Sequence, residues 1–189
     1  MISSKFSKLA GGCGIFVLIV FLAMLFLSIQ QVSWFSWTDN AISDLGRNEG
    51  VPSVFNNGLI VTGILMLVFS LGLANISEDK RSSSLFFGLS SIFLIATGFI
   101  PLPKIEHIYV SSLFFVSFTY AFFAFGISFY QDKNDFLRKM GYFAILNLII
   151  AIISPVFLLF FEGVAIPEMI VIFPGSLWFM IFGLKMVKS

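Results

Sequence analysis

Charge is what this sequence has least of. Only 11% of its 189 residues are Asp, Glu, Lys or Arg, against about 25% in an ordinary soluble domain. So few charges cannot cover a water-facing surface. A single cysteine, Cys13, excludes an intrachain disulfide or a cysteine cluster, and a single histidine, His107, excludes multi-histidine metal sites. The net charge of +1 attracts neither nucleic acid nor an acidic partner. No Gly-x-Ser-x-Gly elbow occurs either, which argues against a serine hydrolase. What the sequence does hold is apolar: 58% hydrophobic residues, 17% aromatic, and 26 phenylalanines. Its solvent is a bilayer.

A helix crossing the hydrocarbon core needs about 20 apolar residues. Six runs approach that length, at about 9–29, 53–76, 84–100, 107–130, 140–161 and 167–186. Pro101 and Pro103 close the third, since proline cannot continue a helix smoothly. Asn134 or Asp135 is placed to cap the fifth, Pro155 to kink it, and Pro167 to open the sixth. The runs lack the two-residue alternation of a membrane barrel. Lys5 and Lys8 before the first run suggest a signal peptide, but the run is too long and Ser28-Ile29-Gln30-Gln31 offers no small-x-small cleavage site. The expectation is an all-α integral membrane protein, one six-transmembrane-helix bundle with no linker and no extramembrane domain. Small residues four apart (Gly58 and Thr62, Ser84 and Gly88, Ser117 and Ala121) suit close helix packing.

Basic residues set the orientation. All of them except Arg47 and Lys104 fall at the N-terminus, in 77–83, in 131–139 or at the C-terminus. By the positive-inside rule both termini are cytoplasmic, and the 31–52 loop is external. Asp39, Asp44, Glu49, Glu106, Glu162 and Glu168 then gather at the outer face. Trp34 and Trp37 reach the outer interface, while Cys13 lies near the reducing side.

Candidate chemistry concentrates at that outer face. Within 34–46, Thr38 or Asp39 is expected to cap a short interfacial helix, with Ala41, Ile42 and Leu45 on one side and Gly46 as a left-handed terminator. Asp44 and His107 are the catalytic candidates, because a histidine beside a partly buried carboxylate can move a proton. Glu106, Glu162 and Glu168 are candidate ligand-binding groups, since ionisable groups at membrane depth point to function, and the neutral polar Ser43 is a candidate beside Asp44, with Asn56 added by the resemblance described next. No cofactor is expected. A hard-cation site would require Asp44, Glu106, His107 and Glu168 to converge. Deeper in the helices, Asn147 and Ser154 are the polar residues that stand out.

Ile42-Ser43-Asp44-Leu45-Gly46, then Phe55-Asn56-Asn57-Gly58-Leu59-Ile60 with Gly63-Ile64, Gly98-Phe99-Ile100-Pro101 and His107, resemble the prokaryotic membrane family called domain of unknown function 998. The likeness covers nearly the whole chain. The Ile-Ser-Asp-x-Gly element and the later histidine also look like the eukaryotic Frag/DRAM/Sfk group, which acts in lipid remodelling and membrane regulation. There a threonine commonly follows the Asp, where this chain has Leu45. The resemblance implies a six-helix protein of a prokaryotic cell membrane with outer polar positions Asp44, Asn56 and His107, and brings no reaction with it. The expected function is binding of a membrane lipid or lipid-linked molecule in an outward-facing polar pocket. A non-catalytic assembly subunit and a small transporter are the alternatives, and association with a second copy or another membrane protein stays open.

Overall fold

Each hydrophobic run is helical in the computed structural model, which describes residues 4–47, 52–75 and 81–188. The loop residues 48–51, the end of the second run at 76 and the charges at 78–80 lie outside the described residues. The helices are α1 (Ser4–Gln30), α2 (Pro52–Leu73), α3 (Arg81–Phe99), α4 (Ile105–Phe129), α5 (Asp135–Ile153) and α6 (Ala165–Lys188). No strand occurs among the described residues. Lys5–Gln30, Ser53–Leu73, Ile105–Phe129, Asp135–Leu159 and Ala165–Lys188 are long and apolar enough to cross a membrane, and Ser83–Phe99 is a shorter apolar helix. This is the architecture of a multi-pass integral membrane protein.

Three helix ends differ from the sequence expectation. Helix α5 begins at Asp135 rather than near 140, because the Asn134 side chain accepts the backbone N–H groups of Phe136 and Leu137 at 3.0 and 3.3 Å. Its far end changes at Pro155. It tightens into a 3-10 segment, Ser154–Leu159, because proline lacks an N–H and its ring crowds the carbonyl four residues back. Helix α6 begins at Ala165, so Pro167 is its third residue and not its first. Its missing donor is still harmless there, since the first four N–H groups of a helix have no partner within it. Pro174 sits inside the same helix and withdraws the donor that the Ile170 carbonyl would otherwise receive.

Neighbours in sequence pack as neighbours in space, and α6 returns to α1, so the six helices close into a ring. Inside it lies an aromatic cluster of Phe69 from α2, Phe87 from α3, Phe118, Phe122 and Phe125 from α4, and Trp178, Phe179 and Phe182 from α6. Most rings meet edge-on or tilted at 4.8–6.5 Å, while Phe87 and Phe125 stack at 5.1 Å, arrangements that suit their quadrupoles when the stacked rings are offset. Trp178, completely buried, donates its indole N–H to the Met140 carbonyl of α5 at 2.9 Å. Helix α5 buries Met140, Gly141, Ala144 and Asn147 on its inner face, and its Phe136 packs edge-on against Phe182 at 5.4 Å.

Between α1 and α6 there is no room for side chains. A Cβ on Gly183 would run into the Gly11 carbonyl oxygen and come within 3.0 Å of the Ile15 nitrogen. Of the small residues read from sequence, Gly88 is the less demanding, since a Cβ there would come 3.3 Å from the Ser70 hydroxyl oxygen, whereas one on Gly58 would collide with the Met24 side chain.

Candidate functional site

One end of the ring carries the segments 31–47, 100–104 and 160–164, and a lid forms there. Its centre is a 3-10 turn, Ile42–Gly46, instead of the capped helix expected across 34–46. Thr38 and Asp39 do not cap it. The Asp39 carboxylate accepts the hydroxyls of Ser36 and Thr38. Nor is Gly46 a left-handed terminator, because it lies within the turn and Arg47 ends it in extended conformation. Glycine is required at 46 for another reason: a Cβ would strike the Asn56 side-chain oxygen.

Four hydrogen bonds hold this turn. The Ala41 N–H donates to Asp44 Oδ2 at 2.8 Å, so the candidate acid caps its own turn. Its other oxygen takes Arg47 Nε at 2.8 Å, with the Asp44 side chain only 14% exposed. The Ile42 N–H donates to Glu168 Oε2 at 2.8 Å, tying the turn to the start of α6. Asn56 Nδ2 donates to the Gly46 carbonyl at 3.0 Å, tying its end to α2. Ile42 and Leu45 are buried beneath. Asp44, Asn56 and Glu168 thus meet at one structure. Two backbone bonds complete the lid, from Gly163 N–H to the Thr38 carbonyl at 2.7 Å and from Ala165 N–H to the Asn40 carbonyl at 2.9 Å.

His107 belongs to a different contact. It is buried at the start of α4, and its Nδ1 lies 2.7 Å from the Ile100 carbonyl. A carbonyl only accepts, so this bond assigns the proton to Nδ1, and the neutral ring presents Nε2 as an acceptor. That Nε2 has no partner within the protein. No hydrogen bond or ion pair joins Asp44 to His107. Glu106 and Glu162 are exposed and outside this network. Among the described residues no three His, Cys, Asp or Glu side chains form a group able to hold a metal ion.

Three spaces surround the lid. On its open side, Trp34, Asp39, Asn40, Asp44 and Arg47 line a polar cavity of about 420 Å³. Beneath it is a crevice of about 40 Å³, where Ile42, Ser43 and Glu168 meet Phe55, Thr97, Ser111 and Phe114. At its flank a groove of about 310 Å³ runs between α4, the Ser154–Leu159 segment and α6, walled by Phe115, Thr119, Ser154, Pro155, Val164 and Glu168. Glu168 borders both the crevice and the groove. The cavity offers a guanidinium, two carboxylates and an exposed indole, which suits a ligand carrying both charge signs. Sequence reasoning passed over Asn40 and Arg47. Their only signal was position, since Asn40 faces the backbone of Gly163, where a Cβ would collide.

Comparison with known proteins supplies the frame for these features. Residues 14–185 match the family model described as a protein of unknown function, DUF998. No curated protein and no solved structure matches the chain. The family match spans nearly its whole length and takes in the lid turn, its anchors Asn56 and Glu168, and His107; the chain belongs to the DUF998 family.

Proposed function

We propose that the protein spans the membrane six times with both termini cytoplasmic, and binds the headgroup of a lipid or lipid-linked molecule at its outer mouth. The observation that carries this reading is the lid itself, which separates a polar cavity from an apolar groove by the width of one backbone strand. Thr38 and Asn40 bond to Gly163 and Ala165 along that strand. Asp39 and Asn40 face the cavity on one side, while Val164 and Pro167 face the groove on the other. A molecule with a charged head and an apolar tail is divided in the same way. In the cavity the Arg47 guanidinium suits a phosphate, and the Trp34 ring with Asp39 suits an ammonium group. The mouth is therefore read as a site for a zwitterionic phospholipid headgroup.

Binding without a reaction is favoured over catalysis, because both oxygens of Asp44 already serve the turn and Arg47. Lipid analysis by mass spectrometry of the purified protein tests the reading. One phospholipid class should be enriched over the bulk membrane, and Arg47→Ala should abolish that enrichment while leaving thermal stability in place. Bulk-like lipid in both proteins would overturn it. The topology is tested by an impermeant thiol reagent in a Cys13→Ser background, which should label Ser33→Cys and not Asn134→Cys in intact cells.

The assembly-subunit reading has one observation of its own. Leu159 and Phe160, at 80% and 73% exposure, form an apolar projection beside the groove. Co-purification of a stoichiometric membrane partner that is lost on Phe160→Ser would favour it.

A further inference from the structure

Most buried polar side chains in this bundle are satisfied locally. Ser28, Ser91, Thr97 and Ser117, for example, each donate to a carbonyl one turn back. Asn147 is the marked exception. It is 1% exposed in the middle of α5, and neither its amide nitrogen nor its carbonyl oxygen has a hydrogen-bond partner in the protein. An unpaired amide so far from water is costly, and natural structures rarely tolerate one without a reason. Room has even been left for it. The residue facing it on α6 is Gly175, where a Cβ would press on the Phe118 ring and come within 3.0 Å of Asn147 Nδ2.

The flanking groove ends short of this amide, with Thr119, Ala151 and Val171 as the lining residues nearest to it in sequence. Asn147 lies one helical turn beyond Ala151, Gly175 one turn beyond Val171, and Phe118 is next to Thr119. From Glu168 at the lid to Gly175 is seven residues, or about 10 Å of helix. The groove lies where α5 gives way to the 3-10 segment at Ser154, which itself stays in contact with α6.

We propose that this groove admits the glycerol-ester region of a diacyl lipid, with one ester carbonyl accepting a hydrogen bond from the Asn147 amide. The inference rests on the lipid-binding reading above and adds its linkage chemistry: an ester-linked lipid is selected over its ether-linked counterpart. The headgroup occupies the cavity beyond the lid, one acyl chain lies along Phe115 and Val171, and Asn147 reads the linkage. No covalent step is involved.

The test compares diester phosphatidylethanolamine with the diether analogue of the same headgroup and chain length. Each is titrated into the purified protein in detergent and followed by thermal shift. The diester should bind roughly fivefold more tightly to the wild type, the value of one ordinary hydrogen bond. Asn147→Leu should bind both lipids equally, at the level of the diether, while unfolding no earlier than the wild type without lipid. Equal binding of diester and diether to the wild type overturns the inference and leaves the lipid-binding reading standing, as does a diester preference retained by Asn147→Leu. If neither lipid binds the wild type, the lipid-binding reading itself falls. The wild-type contrast needs no variant and decides the matter even where Asn147→Leu does not fold.

Discussion

The two flanks of the bundle are built on opposite terms. Helices α1, α2, α3 and α6 approach through glycine: Gly183 against Gly11, Gly72 against Ala10, Gly63 against the Ser91 carbonyl, and Gly98 against the Asn56 carbonyl. In lipid the hydrophobic effect does not drive helices together, so stability there comes from contact density and interhelical hydrogen bonds. Helices α4 and α5 also meet through glycine, at Gly141 against the Phe129–Tyr130 backbone and at Gly126 against Ile145, so the looser flank is the seam between α5 and the start of α6. It carries a groove, a 3-10 segment with exposed Leu158 and Leu159, and a buried amide without a partner. The first flank is spent on cohesion. The second gives up cohesion and gains an opening, which is the pattern expected where a ligand enters from the side.

The largest break in this contrast is expected at the glycine seam. Gly183→Leu must force α1 from α6, because the atoms it meets are backbone and cannot rotate away. A loss of about 3 kcal/mol or more is expected, read as a collapse of the thermal unfolding midpoint in detergent. Gly12, with nothing within 4 Å of its Cβ position, should accept alanine without loss. Equal effects at the two glycines would remove the argument for a seam.

Next in size is the lid. Glu168→Ala leaves the Ile42 N–H without its acceptor, which costs about 1–3 kcal/mol and should release amide protection across Ile42–Gly46. Glu168→Gln keeps an acceptor oxygen and should preserve much of that protection. Protection unchanged in Glu168→Ala would show that Asn56 and the turn's own Asp44 bonds suffice to hold it.

Trp178→Phe is smaller. It removes the one bond that ties Met140 of α5 to the aromatic centre, at about 1 kcal/mol, and should sharpen the contrast by loosening α5 alone. Smallest of all is Asn147→Leu without lipid, expected to leave stability unchanged or to raise it slightly, since no bond is lost. A marked drop in its unfolding midpoint would mean that the amide is part of the packing after all.

The sequence carried the helices well and their partners poorly. Hydrophobic runs report the solvent, and here the solvent is lipid, so all six helices could be located, though α5, expected at about 140–161, runs from Asp135 to Ile153. Asn134 and Pro155 were readable because capping and the missing proline N–H act locally. The helix partners were not readable, because Gly11 looks no different from Gly12 until α6 is placed against them. At the mouth, Asp44, Asn56 and Glu168 were named from type and position, and all three do attach to the same turn. Their roles were hidden because each is set by a backbone atom across the fold: Ala41 N–H, Ile42 N–H and the Gly46 carbonyl. His107 looked like a partner for Asp44 because both sit at helix ends on one face. In the fold its nearest acceptor is the Ile100 carbonyl seven residues away, a link made by the short turn through Pro101 and Pro103.

The bond from Ile42 to Glu168 also has a history in biosynthesis, because it links residues 126 positions apart. The chain leaves the ribosome from its N-terminus at about 5–20 residues per second, so the turn is made roughly 6–25 s before the side chain that secures it. Its other long-range stitches, to Gly163 and Ala165, arrive equally late. During insertion the first loop therefore has only its short-range contacts and Asn56 to hold it. The lid is secured only once α6 has been made, so its closure reports that the helices preceding α6 are in place.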